Sequence, residues 1–278
     1  MNFSKIKLIV SDMDGTLLNS KHEVSPEFFE LFPQLQEREI LFAVASGRQY
    51  YSLRERMEPI KDEIIFIAEN GAIVMEKGEQ KHIQPMQQEQ VQKIIKEVKN
   101  LGGKKYLVLC GRKQAYIENT DKEFMDPFLE HYEKYKVVDT LEKVEDDLIL
   151  KVTICDLEGA EENSLPHVEH FKKDLQVKLA GKIWIDFNHK EAQKGNALSA
   201  IQKIHQISKE ETMAFGDYLN DIELYDHAGI GYAVENAHPE VKKAAEFTTK
   251  SNDENGVEVI LREVLSQRKV EAFQAKDQ

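Results

Sequence analysis

The stretch that decides the fold is Ile6-Lys7-Leu8-Ile9-Val10-Ser11-Asp12-Met13-Asp14-Gly15-Thr16-Leu17-Leu18. Its apolar run, residues 6–10, is typical of a strand covered on both faces, as in a parallel sheet, where ligands collect beyond the carboxyl ends of the strands. Asp12 would then emerge into the crevice as a candidate nucleophile. Asp14, followed by a glycine that permits a tight turn, is a candidate proton donor and acceptor. Taken alone, two such aspartates more often belong to a surface turn.

Three further motifs follow along the chain. A hydroxyl residue comes after a second apolar run, a lysine opens a predicted helix, and two aspartates follow a later predicted strand. These motifs are Ala45-Ser46-Gly47-Arg48, Gln193-Lys194-Gly195-Asn196-Ala197-Leu198 and Phe215-Gly216-Asp217-Tyr218-Leu219-Asn220-Asp221. Each motif is weak evidence alone, whereas all four in this order are a strong signal.

With these motifs the chain resembles the haloacid dehalogenase-like superfamily, and within it the Cof-type phosphatases with a large C2-type cap. The resemblance extends over essentially the whole chain. It implies an α/β fold, with a Rossmann-like three-layer core built on a parallel sheet and an inserted α+β cap domain. We expect residues 1–84 and 188–278 to form the core and residues 85–187 to form the cap.

The resemblance also implies the activity, which is Mg²⁺-dependent hydrolysis of small phosphorylated metabolites through an aspartyl-phosphate. Sugar phosphates are the expected substrates, with pyridoxal phosphate and flavin mononucleotide as other candidates. Asp12 would attack phosphorus, Asp14 would protonate the leaving alcohol and later activate water, and Lys194 would pair with the nucleophile and the phosphate. Phosphoryl transfer otherwise requires positioning and charge neutralisation.

The phosphoryl group itself would be bound by polar groups of the second and fourth motifs together with Lys194. Ser46, the backbone N–H of Gly47, and Asn220 are the candidates that the resemblance implies. Ser46 and Asn220 are also readable as helix N-caps. Arg48 has two readings, a surface ion pair or a substrate contact near the mouth of the cleft.

The resemblance implies a magnesium site made of oxygen ligands, which suit this hard cation. The expected ligands are the Asp12 carboxylate, the Asp14 backbone carbonyl and Asp217. Asp221 lies four residues after Asp217, so it either joins the ligands or orients Lys194 or a metal-bound water. Tyr218 stands where the family commonly has glycine, and we expect it to narrow the entrance or touch the substrate.

Composition limits the partners. The 278 residues carry 37 Lys and Arg against 50 Asp and Glu, a net charge of −13, which argues against nucleic acid binding because phosphate backbones require clustered cations. No secretory or membrane-spanning pattern is visible, so we expect a cytoplasmic protein with a small phosphate ester as its partner. The oligomeric state stays open. Two alternative functions also remain, a phosphomutase with the same intermediate and a non-catalytic regulator that binds a phosphorylated metabolite.

Overall fold

Two β-sheets and the helices packed on them organise the chain. The computed structural model describes residues 2–274, with the backbone alone for residues 268–274. The strands are β1 (Leu8–Asp12), β2 (Leu41–Ala45), β3 (Ile65–Ala68), β4 (Ile73–Glu76), β5 (Glu79–Ile83), β6 (Lys105–Gly111), β7 (Ala115–Ile117), β8 (Tyr135–Val137), β9 (Ile149–Asp156), β10 (Leu175–Leu179), β11 (Trp184–His189), β12 (Thr212–Gly216), β13 (Ile230–Ala233) and β14 (Phe247–Thr248). The α-helices are α1 (Pro26–Gln36), α2 (Tyr50–Arg56), α3 (Gln88–Leu101), α4 (Lys122–Leu129), α5 (Ala160–Asn163), α6 (Leu165–Val168), α7 (Lys194–His205), α8 (Ile222–Asp226), α9 (Pro239–Ala244) and α10 (Gly256–Gln274).

The first sheet has the strand order β14-β13-β12-β1-β2-β3-β4-β5, and its first six strands are parallel. Side chains along each parallel strand alternate between its two faces. On β1, Ile9 packs against the apolar side chains of α1 and α10, whereas Leu8 and Val10 pack against those of α7 and α9. The expected three-layer α/β core is therefore confirmed.

The helix α1 shows how local sequence sets an element boundary. Ser25 caps it by accepting a hydrogen bond from the Phe28 N–H at 3.2 Å, and Pro26 occupies the first helical position. Pro33 lies inside the helix without splitting it. The ring of Phe28 packs edge-on against Phe42 of β2 at 4.9 Å between centroids, which anchors α1 to the sheet.

A tight turn at Glu69–Gly71 joins β3 to the antiparallel β4, as the Asn70-Gly71 pair predicts. Glu69 and Asn70 both have positive φ, at 51° and 60°. Gly71 also has a positive φ, 95°, and a Cβ there would lie 2.3 Å from the Gln193 carbonyl oxygen. This close approach places the turn directly against the start of α7.

The second sheet has the order β10-β11-β9-β6-β7-β8. Its two faces differ in polarity. One face carries the apolar residues that pack on α3, among them Val152, Ile154 and Ile185. Part of the other face packs on α4. The rest of that face is polar, and it lies toward the first sheet.

Several sequence expectations need adjustment at this level. The edge strands β5 and β8 carry no clear sequence signal. The expected boundary between residues 187 and 188 falls inside β11, and the expected core segment 188–278 runs past the described residues. The division into domains stays a prediction. Within residues 2–274, no helix is both long and apolar enough to cross a membrane.

Candidate active site

The four motifs meet at one edge of the first sheet. Asp12 ends β1, Ser46 directly follows β2, and Asp217 directly follows β12. Since β12, β1 and β2 are adjacent and parallel, their carboxyl ends lie side by side. Lys194 enters from the first residue of α7, so segments far apart in sequence converge on one crevice.

Asp12 and Lys194 form a buried ion pair at the bottom of this crevice. The Lys194 Nζ donates to the Asp12 carboxylate and also to Asp221 Oδ1 at 2.7 Å. Burial raises the pKa of Asp12, and the Asp221 carboxylate adds to this effect against the opposing charge of Lys194. Burial alone would lower the pKa of Lys194, but the two aspartates outweigh it and raise that pKa. The cluster therefore places two carboxyl groups around one fixed cation.

Asp221 is fully engaged by the protein. Its Oδ2 accepts hydrogen bonds from the backbone N–H groups of Asp217 and Tyr218, each at 3.0 Å, while Oδ1 faces Lys194. A Cβ at Gly216 would lie 2.4 Å from the Asp221 Cβ, so the loop is closed tightly over this carboxylate. Asp221 thus orients Lys194 and fixes the loop that carries Asp217.

Asp217 lies on the open side of the cluster. Thr16 Oγ1 donates to Asp217 Oδ1 at 3.0 Å, and a Cβ at Gly15 would lie 2.5 Å from Oδ2, so glycine is required there. Burial and the nearby Asp221 raise the pKa of Asp217 to about 6. Carboxylate oxygens of Asp12, Asp217 and Asp221 lie within 4.8 Å of one another. Such crowded carboxylates fit a divalent cation, which would relieve their mutual repulsion.

Asp14 is held by Arg48 rather than by the buried cluster. The Arg48 Nε and Nη2 each donate to one Asp14 oxygen at 2.7 Å, a two-pronged contact. Burial would raise the pKa of Asp14, but the hydrogen bonds and charge of Arg48 outweigh it and lower that pKa. The same guanidinium donates to the Glu130 carbonyl at 3.1 Å and lies 3.3 Å from His131 Nδ1. Arg48 therefore joins the candidate proton donor to the segment after α4.

The candidate phosphate-binding groups line the same cavity. Ser46 is buried, and its Oγ accepts the Arg48 backbone N–H at 3.1 Å, which fixes the turn after β2. Gly47 and Asn220 lie on the cavity wall with Ser46. A Cβ at Gly47 would lie 2.7 Å from Asn70 Oδ1, so this turn is packed closely against the β3–β4 turn.

The polar face of the second sheet contributes a buried network that our sequence analysis misses. The Lys151 Nζ donates to the Gly47 carbonyl at 2.8 Å and lies 2.9 Å from Glu69 Oε2 and 3.3 Å from Asp186 Oδ2. Burial would lower the pKa of Lys151, but the carboxylates of Asp186 and Glu69 outweigh it and raise that pKa. Thr153 Oγ1 donates to Asp186 Oδ1 at 2.7 Å. A signal was present, since Lys151-Val152-Thr153 alternates polar and apolar residues within a strand.

Asn70 and Asn188 extend this network between the two sheets. The Asn70 Nδ2 donates to Asp186 Oδ2 and to Asn188 Oδ1, both at 3.1 Å. Asn188 in turn donates to the carbonyls of Glu69 and Leu150, at 3.2 and 3.1 Å. The second sheet is therefore bonded directly to the turn that borders the crevice.

A cavity of about 1030 Å³ lies between the crevice and the polar face. Trp184 lies on its wall, mostly buried and packed edge-on by His131 at 5.6 Å between centroids, while Phe187 packs in the apolar cluster on one face of the second sheet. Tyr218 is 54% exposed on the wall and packs edge-on against His238. The cavity is large enough for a metabolite-sized ligand.

The fold and the crevice define a class of α/β protein in which one sheet carries clustered carboxylates at its carboxyl edge and a second sheet covers them. The family model for haloacid dehalogenase-like hydrolases matches residues 9–261, so the chain belongs to that family. It is a Cof-type phosphatase, as the four motifs indicate.

Individual relatives agree with this assignment. The chain is 30% identical over 267 residues to the Escherichia coli 5-amino-6-(5-phospho-D-ribitylamino)uracil phosphatase YbjI, covering 94% of this chain and 96% of that protein. It is 27% identical over 288 residues to the Bacillus subtilis phosphatase YwpJ, covering 94% of this chain and 100% of that protein. A crystal structure of a Streptococcus mutans protein superposes with a TM-score of 0.83 at 31% identity, covering 94% and 99% of the two chains.

Proposed function

We propose that the protein is a Mg²⁺-dependent phosphatase that hydrolyses sugar or polyol phosphates through an aspartyl-phosphate on Asp12. The observation that carries this proposal is the buried Asp12–Lys194–Asp221 cluster at the carboxyl edge of the parallel sheet. A cation fixed beside a carboxylate favours its ionised form and attracts a phosphate dianion to the same place. The result is a nucleophile and an electrostatic anchor in one contact.

In the first step an Asp12 carboxylate oxygen forms a bond to phosphorus while the bond from phosphorus to the ester oxygen breaks. Asp14 gives a proton to that oxygen, so the product leaves as a neutral alcohol. In the second step water attacks phosphorus, Asp14 takes its proton, and the Asp12 carboxylate is released. Lys194, Ser46 and the Gly47 N–H stabilise the phosphoryl oxygens in both steps.

The contact with Arg48 favours the ionised form of Asp14, which suits the second step. Its lowered pKa follows from the contact with Arg48, which is compatible with a base. A phosphate dianion bound nearby would attract Arg48 and add negative charge beside Asp14, and both effects favour the protonated acid of the first step. Binding of the ester therefore favours protonation of Asp14, which is the proton donor of the first step.

The Asp12 and Asp217 carboxylates and the Asp14 backbone carbonyl would hold the Mg²⁺. We leave Asp221 out of this set, because the hydrogen bonds that its oxygens accept from Lys194 and two backbone N–H groups favour a supporting role. When bound, the cation neutralises charge on the phosphoryl group and relieves repulsion among the carboxylates. The donors are all oxygens, which magnesium prefers.

The substrate class follows from the covering sheet and from the relatives. Three of them, YbjI and the Bacillus subtilis proteins YwtE and YcsE, are 5-amino-6-(5-phospho-D-ribitylamino)uracil phosphatases, so a phosphate ester on a polyol chain is a natural candidate. The polar face that borders the cavity supports a hydroxyl-rich leaving group more than an apolar one.

The two steps can be separated with p-nitrophenyl phosphate in the presence of Mg²⁺. The variant Asp14→Asn lacks the base for the second step, so it should release a burst of nitrophenol equal to the enzyme and then slow down. Asp12→Asn should give no burst, and Asp174→Asn, an exposed aspartate of the second sheet's layer, should behave as wild type. A burst from Asp12→Asn would place the intermediate on another residue.

A further inference from the structure

Lys178 and Glu223 form a contact across the cavity that the protein itself leaves incomplete. Lys178 lies on β10 of the second sheet, and Glu223 lies on α8 beside the fourth motif. The Lys178 Nζ is 3.9 Å from Glu223 Oε1, which is too long for a direct hydrogen bond. Both residues line the cavity next to the crevice.

Lys178 differs from its neighbours on the polar face in its hydrogen bonding. Lys178 pairs across the strands with Asp186, and Asp186 pairs with Thr153, so the three side chains form one row on the polar face. Thr153 and Asp186 bond each other and their neighbours. Among the side-chain hydrogen bonds and ion pairs described for residues 2–274, Lys178 takes part only in the long contact to Glu223.

Glu223 also has an unsatisfied polar atom. Its Oε2 is buried and accepts no hydrogen bond within the described part of the chain. A buried carboxylate oxygen without a donor costs free energy, which a ligand can recover by supplying one. Burial also raises the pKa of Glu223 and lowers that of Lys178, so both groups gain from a polar partner.

We propose that Lys178 and Glu223 bind one hydroxyl group of the substrate between them, and that this contact selects polyhydroxylated phosphate esters. A hydroxyl oxygen about 2.8 Å from each group fits a gap of this length, donating its proton to Glu223 and accepting from Lys178. A hydroxyl is the simplest group that donates and accepts at one atom. The inference rests on the proposed phosphatase function and names two residues that determine its specificity.

A hydroxyl group bound by this pair would connect the two sheets. Lys178 reaches the ligand from the covering sheet, and Glu223 reaches it from the core. A hydroxyl bound by both therefore favours the arrangement in which the sheets face each other across the cavity. An ester without that hydroxyl leaves two charged groups facing each other without a bridging partner.

The test compares ribitol 5-phosphate with n-pentyl phosphate, two alkyl esters of equal chain length that differ in their hydroxyl groups. Wild type should prefer the polyol ester by roughly a hundredfold in kcat/KM. Lys178→Met and Glu223→Gln should each reduce kcat/KM for ribitol 5-phosphate roughly tenfold or more, mainly through KM. Both should leave kcat/KM for n-pentyl phosphate within about twofold of wild type.

A double variant sharpens the result, because one shared hydroxyl makes the two losses overlap. Lys178→Met with Glu223→Gln should therefore be only slightly worse than the poorer single variant. The matched controls are Lys172→Met and Glu169→Gln, an exposed ion pair at 2.6 Å in the same layer, and both should match wild type on the two esters. Lys178 and Glu223 are 31% and 29% exposed, so the variants should keep the wild-type circular dichroism spectrum.

Three outcomes for the variants would overturn the inference. These are equal losses on both esters, no loss on either ester, and fully additive losses in the double variant. A wild-type enzyme without preference for ribitol 5-phosphate would also overturn it. A wild-type enzyme that releases phosphate from neither ester nor from p-nitrophenyl phosphate would instead overturn the proposed function.

Discussion

The carboxyl edge of the first sheet and the polar face of the second sheet both carry buried charges, but they use them differently. At the edge, Lys194 bonds Asp12 and Asp221 within the core itself. On the face, Lys151 donates a hydrogen bond to the Gly47 carbonyl and forms an ion pair with Glu69, so its contacts reach across to the other sheet. The contacts of the first cluster lie within the first sheet and its helices, whereas the second cluster depends on contacts between the two sheets.

In the proposed mechanism, this difference assigns the chemistry to the first sheet and substrate recognition to the second. A group that must attack phosphorus gains from partners that never move, because preorganised charges cost no reorganisation during the reaction. Groups that recognise the leaving group gain from lying on a second layer that approaches after binding. Substitutions at the edge should therefore affect every substrate, and substitutions on the covering sheet should affect substrates unequally.

The largest effect is expected from Asp12→Asn, which keeps the shape of the side chain and removes the nucleophile. Turnover should fall below about a hundredth of wild type on every ester, alkyl or aryl, because the loss concerns the attack itself. Initial rates on both kinds of ester, with circular dichroism to verify the fold, measure this. A loss confined to one substrate class would break the comparison, since it would place the core edge in recognition.

The second largest effect is expected from removal of the Asp217 carboxylate, which lies on the open side of the cluster. Asp217→Ala should raise the Mg²⁺ concentration for half-maximal activity by roughly tenfold to a hundredfold or abolish activity. Since protons compete with the cation for a carboxyl whose pKa is raised to about 6, wild type should also require more Mg²⁺ as the pH falls from 7 to 5.5.

Two controls belong to this experiment. Excess chelator should abolish wild-type activity, and Mg²⁺ should restore it. Asp226→Asn, an exposed aspartate at the end of α8, should show the wild-type Mg²⁺ requirement. Full activity in excess chelator would show that the reaction does not require Mg²⁺.

Arg48 links the two regions, and its substitution should have an intermediate effect. Lysine at this position keeps the charge but cannot reproduce the two-pronged contact with Asp14. Arg48→Lys should therefore lower kcat roughly tenfold to a hundredfold for alkyl esters, which need a well-placed proton donor. An aryl ester with a good leaving group should lose less than about threefold. Equal losses on both would show that Arg48 acts on binding and not through Asp14.

The core edge was predictable from sequence because its residues follow strands at short, fixed distances. Asp12, Ser46 and Asp217 each come directly after a buried apolar run, and parallel strands bring such positions together. The three-layer arrangement was implied by the family resemblance that these motifs carry. The role of Asp221 was left open between metal ligand and support, and its backbone hydrogen bonds favour support.

The covering sheet was much less predictable. Lys151, Asp186 and Asn70 lie in three separate segments, and their contacts depend on how the two sheets meet, which local patterns do not specify. The polar residues within β9 and β11 signalled a face that does not pack on helices, but they did not show what the face meets. Arg48 was assigned either to a surface ion pair or to the substrate, whereas its ion pair lies inside the cavity wall.

The smallest effect is expected from the side-chain clamp that Gln49 forms with the covering layer. Its Nε2 donates to the Lys134 carbonyl at 2.9 Å, and its Oε1 accepts the Lys134 N–H at 3.1 Å. Gln49→Ala removes both hydrogen bonds and leaves the carboxylates and the lysine of the core edge unchanged. If the covering layer closes over bound substrate, the variant should lower the closed population and raise KM about twofold to fivefold for every ester, with kcat nearly unchanged.

Hydrogen exchange separates this clamp from a simple loss of stability. In Gln49→Ala the Lys134 amide should exchange faster, because its acceptor is gone, while amides in β1 should keep their wild-type protection. Gln36→Ala, which removes a side-chain hydrogen bond to Glu63 on the exposed surface, is the matched control and should leave KM unchanged. Faster exchange in β1 as well would mean that Gln49 stabilises the core, and a fall in kcat equal to the rise in KM would mean that the covering layer takes part in the chemistry of the core edge.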